Sequence, residues 1–129
     1  MDPILAVVDD DIAVRESLES LIRSAGMRVR LYASAEEFLK SDHTKKPDCL
    51  ILDVRMPGMS GIELNRHLLV NNCQVPVIFV TAHGYDDQAK SEAASRWTVA
   101  CLTKPFSDDE LLDAVHVALN LKSNGNDGR

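Results

Sequence analysis

Cys49-Leu50-Ile51-Leu52-Asp53-Val54-Arg55-Met56-Pro57-Gly58-Met59-Ser60-Gly61 decides how this chain is read. An apolar run of strand length delivers one carboxylate, and the backbone then breaks at Pro57, Gly58 and Gly61. Leu50, Ile51 and Leu52 show no alternation, which predicts a strand buried on both faces, the mark of a central parallel strand. A carboxylate delivered by such a strand's end lies in a crevice rather than in the core.

On either side, the pattern of short apolar run followed by helix repeats. Ile4–Val8 ends in Asp9-Asp10-Asp11, and Val14, Leu18, Leu21, Ile22 and Ala25 then fall at helical spacing before Gly26. Arg28–Tyr32 alternates polar and apolar residues and predicts a strand with one wet face at the sheet edge. Ser34-Ala35-Glu36-Glu37, Ser60-Gly61-Ile62-Glu63 and Ser107-Asp108-Asp109-Glu110 have capping-box form and open three helices. These are expected to bury Phe38 and Leu39, then Leu64, Leu68 and Leu69, then Leu111, Val115, Ala118 and Leu119. Val75–Val80 and Thr98–Leu102 predict the fourth and fifth strands, ending at Thr81-Ala82 and Thr103-Lys104-Pro105. Between them, Asp86 or Asp87 can cap a helix whose inner face offers only Ala89, Ala93 and Ala94, which makes it the weakest-packed element and a moving part. Ser123–Arg129 is polar and reads as unstructured, so residues 1–121 form one domain and 122–129 a tail or linker.

Composition agrees with one soluble domain. The chain has 129 residues, 45% hydrophobic and 26% charged, enough for a single sizeable core. Its net charge of −6 argues against direct nucleic-acid contact by this segment. The longest apolar runs are strand-sized, so no membrane span is expected, and no signal sequence opens the chain. Cys49, Cys73 and Cys101 are odd in number and widely spaced. They read as free thiols in a reducing cytoplasm, with Cys49 and Cys101 buried in strands.

Five strands alternating with helices predict a doubly wound α/β fold, a parallel sheet with helices on both faces. Right-handed crossovers put every strand's C-terminal end on one rim. Asp9-Asp10, Asp53, Thr81 and Lys104 each follow an apolar strand run, so they converge in one crevice. Carboxylates facing one another repel, and a hard divalent cation, Mg2+ or Mn2+, relieves the conflict through oxygen ligands. Asp10 and Asp53 read as direct ligands, with Asp9 acting through water. The cation, the Lys104 ammonium and the Thr81 hydroxyl could each hold one oxygen of a transferring phosphoryl group, which Asp53 would attack in line to give an aspartyl phosphate.

Val8-Asp9-Asp10, Leu52-Asp53-Val54-Arg55-Met56-Pro57-Gly58, Val80-Thr81-Ala82 and Lys104-Pro105-Phe106, in that order at strand ends, resemble the receiver domain of two-component response regulators. The wording from Arg55 to Gly61 most resembles the FixJ-like subgroup, whose receivers often precede a helix-turn-helix domain. The resemblance implies a flavodoxin-like (βα)5 fold with strand order 2-1-3-4-5, an order that comes from the family and not from the strand patterning. It further implies a sensor histidine kinase as phosphodonor, Mg2+ dependence, slow self-catalysed loss of the phosphate, and the Arg55 backbone carbonyl as a metal ligand. The chain departs from the family at two places. Cys101 stands where a Tyr or Phe usually reports phosphorylation, and Trp97-Thr98 replaces a small pair, so Trp97 is a candidate to supply the missing aromatic bulk. His83 and Arg55 are candidates to influence the attacking water, while His43, His67, His116 and Lys45-Lys46 read as surface residues.

The expected function is a phosphorylation-driven switch, not an enzyme with turnover. Its readout is homodimerisation or docking of a neighbouring domain, with a DNA-binding output beyond residue 129 and a role in transcription regulation. Two other readings compete. A Mg2+-dependent hydrolase working through an aspartyl phosphate would carry a second acid two residues after the nucleophile, where Arg55 stands. A phosphorylation-independent interaction module would not need the full set of acids with Thr81 and Lys104.

Overall fold

Strand patterning and helix caps together place the site. The computed structural model describes residues 2–41, 46–82 and 97–127, with side chains of the last segment through residue 121. In chain order the elements are β1 (Ile4–Val8), α1 (Ile12–Ser24), β2 (Arg28–Tyr32), α2 (Ala35–Lys40), β3 (Cys49–Asp53), α3 (Gly61–Val70), β4 (Val77–Thr81), β5 (Thr98–Thr103) and α4 (Asp108–Asp127). The strands form one parallel sheet in the order β2-β1-β3-β4-β5. This is the doubly wound order that the sequence resemblance implies.

The sheet divides the interior into two cores. Ala6 and Val8, Leu50 and Leu52, and Val77 and Phe79 face α2 and α3, meeting Phe38, Leu64 and Leu68. Leu5 and Val7, Cys49 and Ile51, and Ile78 and Val80 face α1 and α4, meeting Leu18, Ile22, Leu111 and Val115. β1, β3 and β4 are buried throughout, as expected for strands covered on both faces. β2 and β5 are the sheet's edges and are only partly buried.

Several expectations need correction. β4 begins at Val77 rather than Val75, because Pro76 has no N–H for the ladder, although its carbonyl still accepts from Leu50 N–H at 2.9 Å. Leu69 is 41% exposed, on the far side of α3 from the buried Leu64 and Leu68. Cys101 is half-buried rather than buried, because β5 is an edge strand, while Cys49 is fully enclosed. The helix backbone of α4 continues to Asp127, where the composition predicts an unstructured tail. Once a helix is nucleated, each added residue contributes a hydrogen bond, so polar residues extend it readily. The helix expected near Asp86 or Asp87, with Ala89, Ala93 and Ala94, lies outside the described residues, as do His43, Lys45 and His83. Among the described residues, no helix is long and apolar enough to cross a membrane.

The caps work as their spacing predicts, with one change. Ser60 and Glu63 close a reciprocal box at α3, at 3.1 and 2.9 Å, and Ser107 and Glu110 do the same at α4, at 3.0 and 2.9 Å. At α2, Ser34 Oγ accepts from Glu37 N–H at 3.0 Å, but the Glu37 carboxylate takes the N–H of Ala33 instead of that of Ser34. Gly61 is required for another reason. A Cβ there would collide with the carbonyl oxygen of Asp53 and come within 2.9 Å of its carbonyl carbon, so only glycine lets α3 start against the end of β3. Gly61→Ala is therefore expected to lower stability by roughly 1–3 kcal/mol through overpacking against backbone that cannot give. Urea unfolding checks this, and an unchanged midpoint would show that the close approach is not needed.

Candidate functional site

The acidic residues reach the C-terminal rim on the ends of two neighbouring strands, β1 and β3. Asp53 is the last residue of β3 and is 4% exposed, and Asp9 directly follows β1 and is 1% exposed. Asp10 is exposed. One oxygen from each of the three lies within 4.8 Å of the others, so they form a single cluster. The third aspartate of the run has a different job. Asp11 is the N-cap of α1, its Oδ1 accepting from Ala13 N–H at 2.9 Å. The helix-cap explanation of the triple aspartate thus holds for Asp11 and leaves Asp9 and Asp10 to the cluster.

Lys104 brings the charge that these acids lack. Its Nζ donates to Asp9 Oδ2 at 3.0 Å and stands 3.7 Å from Asp53 Oδ1. Its backbone N–H donates to the carbonyl of Thr81 at 2.7 Å, tying the ends of β4 and β5 together. The peptide between Lys104 and Pro105 is cis. Asp9 is held on both oxygens, since Oδ1 accepts from Asp11 N–H at 2.9 Å. Thr81 is buried at 4% exposure at the end of β4, one strand over from Asp53, which is opposite Val80 in the ladder.

The electrostatics follow from this crowding. Burial pushes the Asp53 carboxyl from 3.8 up to about 7, the Asp9 charge adds to this, the Lys104 charge opposes it, and Asp10 raises it further by a hydrogen bond and its charge. Burial works against the Lys104 ammonium, but the Asp9 hydrogen bond and the charges of Asp53, Asp9 and Asp11 outweigh it and raise Lys104 above the ordinary lysine range. One ammonium does not neutralise three acids. A buried carboxyl left above its usual range, beside two more carboxylates, fits a hard divalent cation taken up through oxygen. Asp10 and Asp53 are the residues with oxygens open to it, because Asp9 is already committed to Lys104 and Asp11.

The structure brings together Asp9, Asp10, Asp53 and Lys104, with Thr81 at the adjoining strand end. Arg55 is an exposed residue of the loop that leaves Asp53. Trp97 is not part of this rim. It stands in the turn before β5, its carbonyl accepting from Val77 N–H at 2.8 Å, at the end of the sheet opposite Lys104. It is four positions before Cys101, roughly 13 Å along an extended strand. Cys101 packs on the edge of the α2–α3 core, and burial pushes its thiol up, as it pushes that of Cys49 to about 12. Both therefore stay protonated and behave as small apolar groups.

Sequence reasoning missed two supports. Arg15 on α1 donates from Nη1 to the Asp9 carbonyl at 2.7 Å, fixing the loop that carries the two acids. Its spacing of four residues from Asp11 places it on the helix face above the cap, which is the signal that could have found it. Glu36 of α2 accepts from Met59 N–H at 2.9 Å, in the loop after Asp53. A contact between residues so far apart in the chain leaves no local signal.

The chain is similar to known proteins. A family model for the response regulator receiver domain matches residues 5–116. The chain is 42% identical over 120 residues to the response regulator protein TmoT of Ectopseudomonas mendocina, covering 93% of this chain and 54% of that protein. It is 45% identical over 115 residues to nodulation protein W of Bradyrhizobium diazoefficiens, covering 89% and 50%. It is 41% identical over 113 residues to the transcriptional regulatory protein FixJ of Azorhizobium caulinodans, covering 88% and 53%. The chain thus spans about half the length of the curated relatives it matches. Among solved structures, the response regulator StyR superposes with a TM-score of 0.87 at 39% identity, covering 100% of this chain and 65% of that one. The N-terminal fragment of FixJ superposes with a TM-score of 0.83 at 35% identity, covering 93% and 95%.

The raised Asp53 carboxyl sets a pH dependence. A carboxyl raised in the folded state holds its proton more tightly there than in the unfolded chain, so metal-free protein loses stability as pH climbs from 3.8 to about 7. Asp53→Asn has no proton to lose. In the presence of a chelator its stability advantage over wild type should grow across that window to roughly 1–3 kcal/mol and level off above it. Thermal unfolding of both proteins from pH 4 to 8 checks this, and parallel curves would show that Asp53 ionises unhindered.

Proposed function

The chain belongs to the response regulator receiver domain family, and from that premise we propose that it is the phosphoacceptor module of a two-component system with Asp53 as the residue that takes the phosphoryl group. One observation carries this assignment of the residue: Asp53 ends the central strand, buried among Asp9, Asp10 and the Lys104 ammonium at the rim where ligands of doubly wound sheets bind. The donor is the phosphohistidine of a sensor kinase.

A carboxylate oxygen of Asp53 attacks phosphorus in line, the P–N bond to the histidine breaks with its electron pair staying on the imidazole, and an acyl phosphate forms on Asp53. Asp10, Asp53 and the backbone carbonyl of Arg55 would hold Mg2+ or Mn2+, with Asp9 one water further out. When bound, the cation neutralises the phosphoryl oxygens and lowers the Asp53 carboxyl so that it is ionised for attack. The Lys104 ammonium, 3.7 Å from Asp53 Oδ1, pairs with a phosphoryl oxygen after the charge arrives. The Thr81 hydroxyl donates to another. Arg55, two residues after Asp53 in the chain, and His83, two after Thr81, would influence the water that later hydrolyses the acyl phosphate.

This is a switch without substrate turnover, located in the cytoplasm. Where phosphatases with an aspartyl intermediate place a second acid, this chain has Arg55. Because the relatives are about twice as long, and include a transcriptional regulatory protein, the output is a DNA-binding domain beyond residue 129. Phosphorylation then acts through homodimerisation or docking of that domain.

Incubation with acetyl phosphate and Mg2+, followed by intact-mass measurement, should give one phosphoryl adduct on wild type and none on Asp53→Asn. Lys104→Ala should still bind Mg2+ but accept the phosphoryl group at least roughly tenfold more slowly, because it lacks the charge aimed at the transferring group. Absence of any adduct on wild type would leave the fold as an interaction module. Continuous release of phosphate from added substrate would mark a hydrolase.

A further inference from the structure

We propose that Glu36 is a positioning residue for the cation site, holding the loop that follows Asp53 through the hydrogen bond from Met59 N–H to its carboxylate. This rests on the Mg2+ reading above, and it concerns a residue of another element, 23 positions from its partner.

Residues 54–60 leave β3 directly after Asp53 and end where α3 begins. Their two ends are fixed by backbone. Val54 N–H donates to Val80 at 3.0 Å, Gly61 N–H donates to the Val54 carbonyl at 2.9 Å, and Ser60 is held by its capping box with Glu63. The middle, Pro57-Gly58-Met59, has its backbone held by Glu36, whose Oε2 accepts from Met59 N–H at 2.9 Å, while the Met59 side chain packs at the edge of the α2–α3 core, which includes the buried Met56. The carboxylate lies directly against Gly58. A Cβ there would stand 2.6 Å from Oε2 and 3.3 Å from Cδ of Glu36. Gly58 therefore meets two demands, a φ of +76° and room for this carboxylate.

The contact is not needed to close α2. Ser34 and Glu37 perform that capping, and Glu36 reaches out of the helix instead. The Met59 N–H is the foremost of the influences that draw the Glu36 carboxyl below its usual range, followed by its own backbone amide, so it stays ionised at neutral pH. The loop it holds carries the Arg55 carbonyl, the one cation ligand that does not come from a carboxylate. With Glu36 in place the loop is ordered before the cation arrives. Without it, the cost of ordering that segment falls on cation binding.

The test is a calorimetric Mg2+ titration of wild type, Glu36→Ala, Glu36→Gln and Asp10→Asn, with melting temperatures taken in chelator. Glu36→Ala should weaken Mg2+ about tenfold, the low end of the range for groups that orient metal ligands. Glu36→Gln keeps an oxygen for Met59 N–H and should bind within about threefold of wild type. Both should melt as wild type does without metal, and phosphorylation of Glu36→Ala by acetyl phosphate should recover at saturating Mg2+. Wild-type Mg2+ affinity in Glu36→Ala would overturn the proposal, as would an equal loss in Glu36→Gln. If wild type takes up no Mg2+, or Asp10→Asn binds it equally well, the cation reading itself fails and this inference falls with it.

Discussion

Repulsion among buried carboxylates is the constraint on which the rest of the molecule depends. Asp9 and Asp53 are nearly inaccessible and Asp10 stands beside them, so three acids that repel one another are held close. The frame that holds them is the parallel sheet. β1 and β3 are neighbours in it, buried on both faces, so their last residues are fixed relative to each other by the ladder. Lys104 then crosses two strands to pair with Asp9, and its backbone is tied to Thr81. The repulsion of the gathered acids is offset by two apolar cores on opposite faces of the sheet. The result is a carboxyl held near the point of ionisation at neutral pH, sensitive to any cation that arrives.

Much of this frame is legible in the sequence because the signals are local. Apolar runs without alternation at 4–8 and 50–52 identify doubly covered strands, and the alternation at 28–32 identifies an edge. The capping spacings at Ser60 and Ser107 mark helix starts to the residue. The position of Asp9, Asp10, Asp53, Thr81 and Lys104 after such runs is enough to bring them to one rim, since parallel strands allow no other result. Strand order is not obtained this way. It comes with the resemblance, because β1 could neighbour β2 or β4 as far as patterning is concerned.

What the sequence does not disclose depends on contacts between distant elements. The capping spacing from Ser34 singles out Glu37, but nothing around Glu36 tells that its carboxylate braces a loop near the acids. Gly61 reads as an ordinary member of a capping box, while the structure shows that a side chain there would strike the Asp53 backbone. The sequence offers Trp97 as a stand-in for the missing aromatic without telling where along the sheet it stands. In the sheet it occupies the opposite end of β5. Cys101 reads as buried from its apolar neighbours, but an edge strand leaves it half-covered.

These same features bear on how a charge at Asp53 can be felt elsewhere. β3 and β1 are packed on both sides and have little room to move. β5 is different: it is half-buried, has a single neighbour, and its register against β4 is irregular between Val77 and Ile78. Lys104 and the Thr81–Lys104 backbone hydrogen bond join this softer edge to the acids. Lys104 thus links the buried Asp9 carboxylate to an edge strand. Cys101 sits midway along that element with a side chain too small to wedge it in place. Beside the α2–α3 core, this edge of the sheet is thus filled by a thiol rather than by a large ring.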